Sequence, residues 1–161
     1  MVRFTVFALA CLTISVAPCQ APVVGAENPE SLFRSRDRKL NVNKQVVLHI
    51  VRDLLEAGHW KDAPKYLTQR YIQHNPMVAS GLEPVMKFFS GMPERQIPKP
   101  NEWRMKVVSV VAEGDLVVVA TARELPRPGG TGTYTTTWFD MWRIKGGKAD
   151  EHWDGATLPL K

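Results

Sequence analysis

Thiol chemistry is almost missing from this chain. Only Cys11 and Cys19 occur among its 161 residues, too few for a disulfide-rich scaffold or a Cys-based zinc site. Net charge is small as well. The 21 Lys and Arg against 16 Asp and Glu leave +5, a mild surplus that does not argue for nucleic acid. There is no Gly-rich phosphate loop, no Ser nucleophile elbow and no nucleic-acid motif. No Asn-x-Ser/Thr sequon occurs, and no internal repeat is visible. What remains, 44% apolar and 23% charged residues, is the composition of one globular domain of ordinary size.

The N-terminus reads as an address. Arg3 is the only charge in the first 26 residues, Phe4–Val16 is mostly apolar, and Pro18, Pro22, Gly25 and Ala26 follow. The apolar run is shorter than the ~20 residues that a membrane-spanning helix needs. The pattern is that of a secretory signal peptide over 1–26, cleaved after Ala26 with Val24 two residues before it. A buried N-terminal helix and a lipid anchor on Cys19 are the competing readings. The expected protein is secreted or periplasmic, with no cysteine and no integral membrane segment after cleavage. Residues 27–39 carry charges, Pro29 and no apolar period, and read as a flexible, solvated arm. Residues 40–161 form the domain.

Within that domain the period changes once. Leu40–Trp60 has Val46, Val47, Ile50, Val51, Leu54 and Leu55 at helical spacing, with Asn41 or Asn43 as the cap and Gly58 as the stop. Asp62 is placed to cap a short helix with Pro64 in its first turn. Tyr71–Asn75 is short and extended, closed by Pro76. Ser80-Gly81-Leu82-Glu83 has capping-box spacing and predicts a third helix to about Gly91. From Glu102 the period is that of strands. Strands are expected over 103–112, 116–124, 133–144 and 148–156, with Gly146-Gly147 as a tight hairpin. Helices first and an antiparallel meander second make an α+β fold, with helices packed on one face of a curved sheet. The cone so formed can hold a small molecule at its mouth.

Two clusters carry candidate chemistry. One is Tyr71-Ile72-Gln73-His74-Asn75-Pro76; the other is Asp140-Met141-Trp142-Arg143 with Glu151-His152-Trp153-Asp154 across the hairpin. Alternation puts His152 and Asp154 on one face and Glu151 and Trp153 on the other. Three of the five tryptophans, Trp138, Trp142 and Trp153, lie in this hairpin and favour a lined cavity over a polar outer surface. The register is open. A regular two-residue turn pairs Met141 with His152 and Phe139 with Asp154, whereas a slip of one residue brings Asp140 and Trp142 to their face. His74-Asn75-Pro76 reads equally as a chain turn, Asp140 and Arg143 as structural ion-pair partners, and His49 and His59 as structural. A metal site from His74, His152 and Asp154 has only residue type in its favour, so no metal is expected.

The segments YIQHNP, SGLEPVMKFF and FDMWRIKGGKADEHWD resemble the SnoaL-like polyketide cyclases of the nuclear transport factor 2-like superfamily, over about Val42 to Leu158. The resemblance implies an α+β cone whose sheet wraps three helices around a deep pocket, commonly as a homodimer packed through the sheet. It implies intramolecular aldol condensation without metal or organic cofactor, with Asp154 as the acid/base group by motif position. Aldol closure needs a base for an α-proton and an acid for the new alkoxide. His74 and His152 are the candidates to polarise the carbonyl or return protons. Tyr71, Gln73 and Asn75 are candidate hydrogen-bond donors, and Tyr71, Asn75, Trp138, Asp140, Trp142 and Trp153 candidate substrate contacts. Three functions are compatible with these residues. They are an acid/base enzyme of aldol, cyclase or isomerase type on a small apolar carbonyl compound, a non-catalytic binding module with the same pocket, and a protein that docks through its sheet.

Overall fold

The computed structural model describes residues 20–159; most of the segment read as a signal peptide therefore lies outside the described residues. Three helices lie against a five-stranded curved sheet. Helix α1 spans Arg38–His49 and runs into a π-helical stretch, Ile50–Glu56. Helix α2 is Ala63–Tyr66 and α3 is Leu82–Phe89. The strands are β1 (Leu67–Gln73), β2 (Lys106–Glu113), β3 (Leu116–Pro126), β4 (Thr133–Lys145) and β5 (Lys148–Asp154).

The sheet order is β1-β5-β4-β3-β2. Strands β2 to β5 form the expected antiparallel meander, but the sheet is mixed. The short Tyr71–Asn75 segment belongs to β1, which pairs parallel to β5 at the edge. The chain leaves β1 through α3 and reaches β2 on the far edge, a crossover that makes β1 and β5 run the same way. Irregular pairing in β1, in β2 and between β4 and β5 bends the sheet around the helices.

The core lies between α1 and the inner sheet face. Val47, Leu54, Leu67, Val85, Val117 and Trp142 are all essentially sealed from solvent. Two residues read as caps do other work. Helix α1 begins at Asp37, whose carboxylate accepts from the Leu40 N–H at 2.9 Å. Asn43 is instead buried and donates to the Gly114 carbonyl at 3.1 Å, tying α1 to the β2–β3 turn. Ser80 does not cap α3; its hydroxyl accepts from the Gln73 N–H at 3.0 Å and holds the helix start on β1.

The segment expected as a flexible arm is anchored. Pro29–Phe33 forms a 3-10 turn, and Phe33 is 0% exposed in the core beside Trp103. Lys44 and Gln45 of α1 donate to the carbonyls of Leu32 and Phe33 at 2.9 Å. One aromatic anchor makes no period, which is why the pattern misses it. Upstream, the Ala26 N–H donates to the Val107 carbonyl at 2.7 Å and Val23 N–H to the Thr135 hydroxyl at 2.7 Å. Among the described residues no helix is long and apolar enough to cross a membrane.

Candidate functional site

The β4–β5 hairpin decides which side chains face inward. Gly146 and Gly147 both have positive φ, 58° and 77°, as a two-residue hairpin turn with the right-handed strand twist requires. Lys145 pairs with Lys148 and Ile144 with Ala149. Then the register shifts, and Arg143 pairs with Glu151. Asp150 is the extra residue of this bulge. It is buried and accepts from Arg70 Nε at 2.9 Å, from the Arg70 terminal nitrogen, and from the Thr68 hydroxyl at 2.8 Å. Strand β1 thus holds the bulge from the side.

The consequence is the slipped register. Trp142 pairs with His152 and Asp140 with Asp154, so the two carboxylates and the imidazole share a wall. They face a cavity of about 460 Å³ between sheet and helices, whose far side is Leu55, Trp60, Val85, Phe89 and Met92.

The polar wall is tightly bonded. Asp154 Oδ2 accepts from Asn75 Nδ2 at 2.8 Å, and its Oδ1 from the Ala156 N–H at 2.9 Å. Asn75 is itself fixed, because its Oδ1 accepts from the Met77 N–H at 2.9 Å. The Asn-Pro turn is therefore both a turn and the support of Asp154. His152 Nδ1 lies 2.9 Å from Gln73 Oε1 and Nε2 lies 3.2 Å from Asp140 Oδ1. With the Gln73 carbonyl oxygen toward the ring, Nδ1 donates to it, and Nε2 is the nitrogen turned to Asp140. Asp140 Oδ1 also accepts from Trp138 Nε1 at 3.2 Å.

Tyr71 completes the wall. It is 4% exposed, and its oxygen accepts from Trp142 Nε1 at 3.0 Å. Burial above all, with the charges of Asp140 and Asp154, pushes the phenol pKa up against the opposing Trp142 bond. The group stays protonated at any ordinary pH, and its O–H meets no protein acceptor among the described residues.

Two of the expected site residues stand elsewhere. His74 and Trp153 lie on the outer sheet face, because each is one position out of phase with an inward neighbour, Gln73 and His152. They stack on each other at 4.9 Å, and His74 Nε2 bonds Glu151 at 2.9 Å. The His74 bond above all, with Arg143 and against some burial, holds the Glu151 carboxyl below its usual range. Arg143 bonds Glu151 and Asp115 on this face. His49 bonds Asp53 and stacks on Tyr66, and His59 bonds the Arg95 carbonyl; neither reaches the cavity. Pattern reading did not point to Thr121, Arg123 or Lys106, which also line it. Thr121 pairs with Trp138 across β3 and β4 and Lys106 with Ala122 across β2 and β3, so strand register was the only signal for them.

The cation cluster considered from sequence does not assemble, since His74 is on the other face. Asp140, His152 and Asp154 do place one ligand atom each within 4.8 Å of one another. They could hold a cation only by giving up the bond between His152 and Asp140.

A profile of the SnoaL-like domain matches residues 47–152. Among solved structures, the fold is similar to that of a candidate polyketide cyclase from Acidithiobacillus ferrooxidans, with TM-score 0.52 and 16% identity, over 74% of this chain and 89% of that one. A candidate polyketide cyclase from Bacillus cereus has TM-score 0.52 and 16% identity, over 83% and 84% of the two chains. An LEH-like epoxide hydrolase of M. tuberculosis has TM-score 0.50 and 13% identity, over 70% and 80%. At these identities the likeness is one of fold. No curated protein matches the sequence.

Proposed function

The chain belongs to the SnoaL-like family, of nuclear transport factor 2-like fold, and on that premise we propose that it is an acid/base enzyme acting on a small, largely apolar carbonyl compound. The observation that carries this reading is the pairing of Asp140 with Asp154 beside His152, on one wall of an otherwise apolar cavity. A family fold alone would not carry it, because the same fold hosts unrelated functions.

The residues divide the work as enolisation requires. Asp154, oriented by Asn75 and the Ala156 N–H, removes the α-proton. The Tyr71 O–H donates to the carbonyl oxygen and to the enolate that forms there. The enolate carbon then bonds to a second carbonyl carbon, or takes a proton at a new position in an isomerisation. The alkoxide of the first route takes a proton from the His152–Asp140 pair, and the proton on Asp154 restores that pair. None of these steps calls on a cofactor.

Deuterium uptake tests this reading. The protein is incubated in deuterated water with small ketones, ketoesters and aldehydes, and the α-carbon is read by mass spectrometry. Uptake above background is expected, and Asp154→Asn should abolish it, because the amide keeps the shape but takes no proton. Undiminished uptake in that variant would sink the assignment. Saturable binding with no exchange in either protein would favour the binding module with the same pocket. We infer export as well, from Arg3, the apolar run Phe4–Val16 and the small residues up to Ala26. The N-terminal mass of protein recovered outside the cytoplasm should correspond to a chain starting at Glu27, and an uncleaved Met1 would contradict export by this route.

A further inference from the structure

We propose that the mouth of the cavity is an anion-binding subsite, and that the natural ligand is a keto acid with an apolar body. The inference rests on the carbonyl-compound reading of the same cavity and names its substrate class. Lys106 and Arg123 both line the cavity. They lie on neighbouring strands, since Lys106 pairs with Ala122, the residue before Arg123.

Arg123 is held in place. Its guanidinium carbon lies 3.5 Å from the centre of the Trp138 ring, so a cation–π contact keeps it on the cavity wall rather than free in solvent. Yet neither Arg123 nor Lys106 pairs with a carboxylate among the described residues. Arg52, Arg70, Arg104 and Arg143 are each held by a carboxylate, whereas Arg123 is held by the Trp138 ring. The cavity's own acids are committed to other donors, Asp154 to Asn75 and Ala156, Asp140 to Trp138 and His152. Two solvent-exposed cations thus line the cavity with no carboxylate partner among the described residues.

Trp138 joins the two halves of the site. Arg123 lies on its ring face while its Nε1–H reaches Asp140. An anion on Arg123 is therefore one indole away from the acid/base wall, and the apolar body of the same molecule has the helix side of the cavity to fill. A planar guanidinium suits a carboxylate, which it can bind through two parallel N–H bonds.

The test uses 4-oxodecanoate and its neutral methyl ester, titrated calorimetrically into the full chain. The acid should bind at least about tenfold tighter than the ester, the scale of a charged hydrogen bond, and lose that advantage at about 0.5 M NaCl. Arg123→Gln and Lys106→Gln should bring the acid down to the ester and leave the ester unchanged, while Arg123→Lys keeps most of the preference. If acid and ester bind equally to the unaltered protein, the subsite is wrong and the carbonyl reading stands. If Arg123→Gln weakens both alike, Arg123 only braces Trp138 and the subsite is again wrong. If neither ligand binds, both readings fall together.

Discussion

At the scale of single residues, Tyr71 and His74 make the sharpest contrast. Both stand in one short stretch, but Tyr71 is sealed against Trp142 and His152 whereas His74 is 44% exposed at its side chain on the opposite face. Removing the Tyr71 hydroxyl takes away the donor aimed at the developing enolate. Tyr71→Phe is expected to lower the exchange rate by about 10²–10³, as for other oxyanion donors. It should also cost about 1–3 kcal/mol of stability, because Trp142 Nε1 loses its acceptor. His74→Ala should leave exchange within about twofold, since surface changes away from a site have small effects. Exchange rates and urea melts of the two variants check both statements, and an exchange defect in His74→Ala would refute the assignment of faces.

At the scale of elements, the β4–β5 bulge is the part on which the site depends. Its extra residue, Asp150, is buried while Arg70 is more than half exposed. Asp150→Ala removes the acceptor of Arg70 and Thr68, and is expected to destabilise by about 1–3 kcal/mol, less at high salt. Exchange at the α-carbon should fall as well, because His152 and Asp154 lose the hold that sets their face. The Arg70 bonds above all, with the Thr68 hydroxyl and against burial, hold the Asp150 carboxyl below its usual range. Glu56 follows the same direction. Burial pushes it up, but the Arg104 side chain and the N–H groups of Arg104 and Met105 outweigh burial. Carboxyls depressed in the folded state stabilise it fully above their unfolded pKa, about 4. That stability is lost as pH falls below about 4 and through the lower folded values. Melts between about pH 5 and 2 should show this loss, and Asp150→Ala should lower stability at neutral pH and flatten the decline.

At the scale of the whole molecule, the outer face of the sheet is the surface of interest. Val111 is 61% and Phe139 56% exposed there, beside the half-buried Val118 and Met141. A homodimer packed through this face is the reading we propose for it. Val111→Glu would bury a charge at that interface and should shift the protein from dimer to monomer in sedimentation, while deuterium exchange in the cavity on the opposite face continues. A monomeric parent protein would refute the dimer without touching the cavity.

The sequence by itself determined whatever depends on neighbours a few residues apart. Apolar spacing over Leu40–Trp60 located α1 and its π-helical continuation, alternation located β3 to β5 to within two residues or so, and Gly146-Gly147 marked the hairpin. The YIQHNP and EHWD segments pointed to Tyr71, Asn75, His152 and Asp154, which do meet at one cavity. Only the tertiary structure decided what depends on distant partners. Phe33 was invisible because a single anchor has no period. The parallel partner of β1 was invisible because pairing joins residues some eighty positions apart. The register of Asp140 was undecided because a regular turn and a bulged one have the same local sequence signature. The difference lies in the burial of Asp150 against Arg70 and Thr68. One extra residue reverses which face the strand beyond it presents, so a contact made by β1 determines whether the cavity wall carries one carboxylate or two.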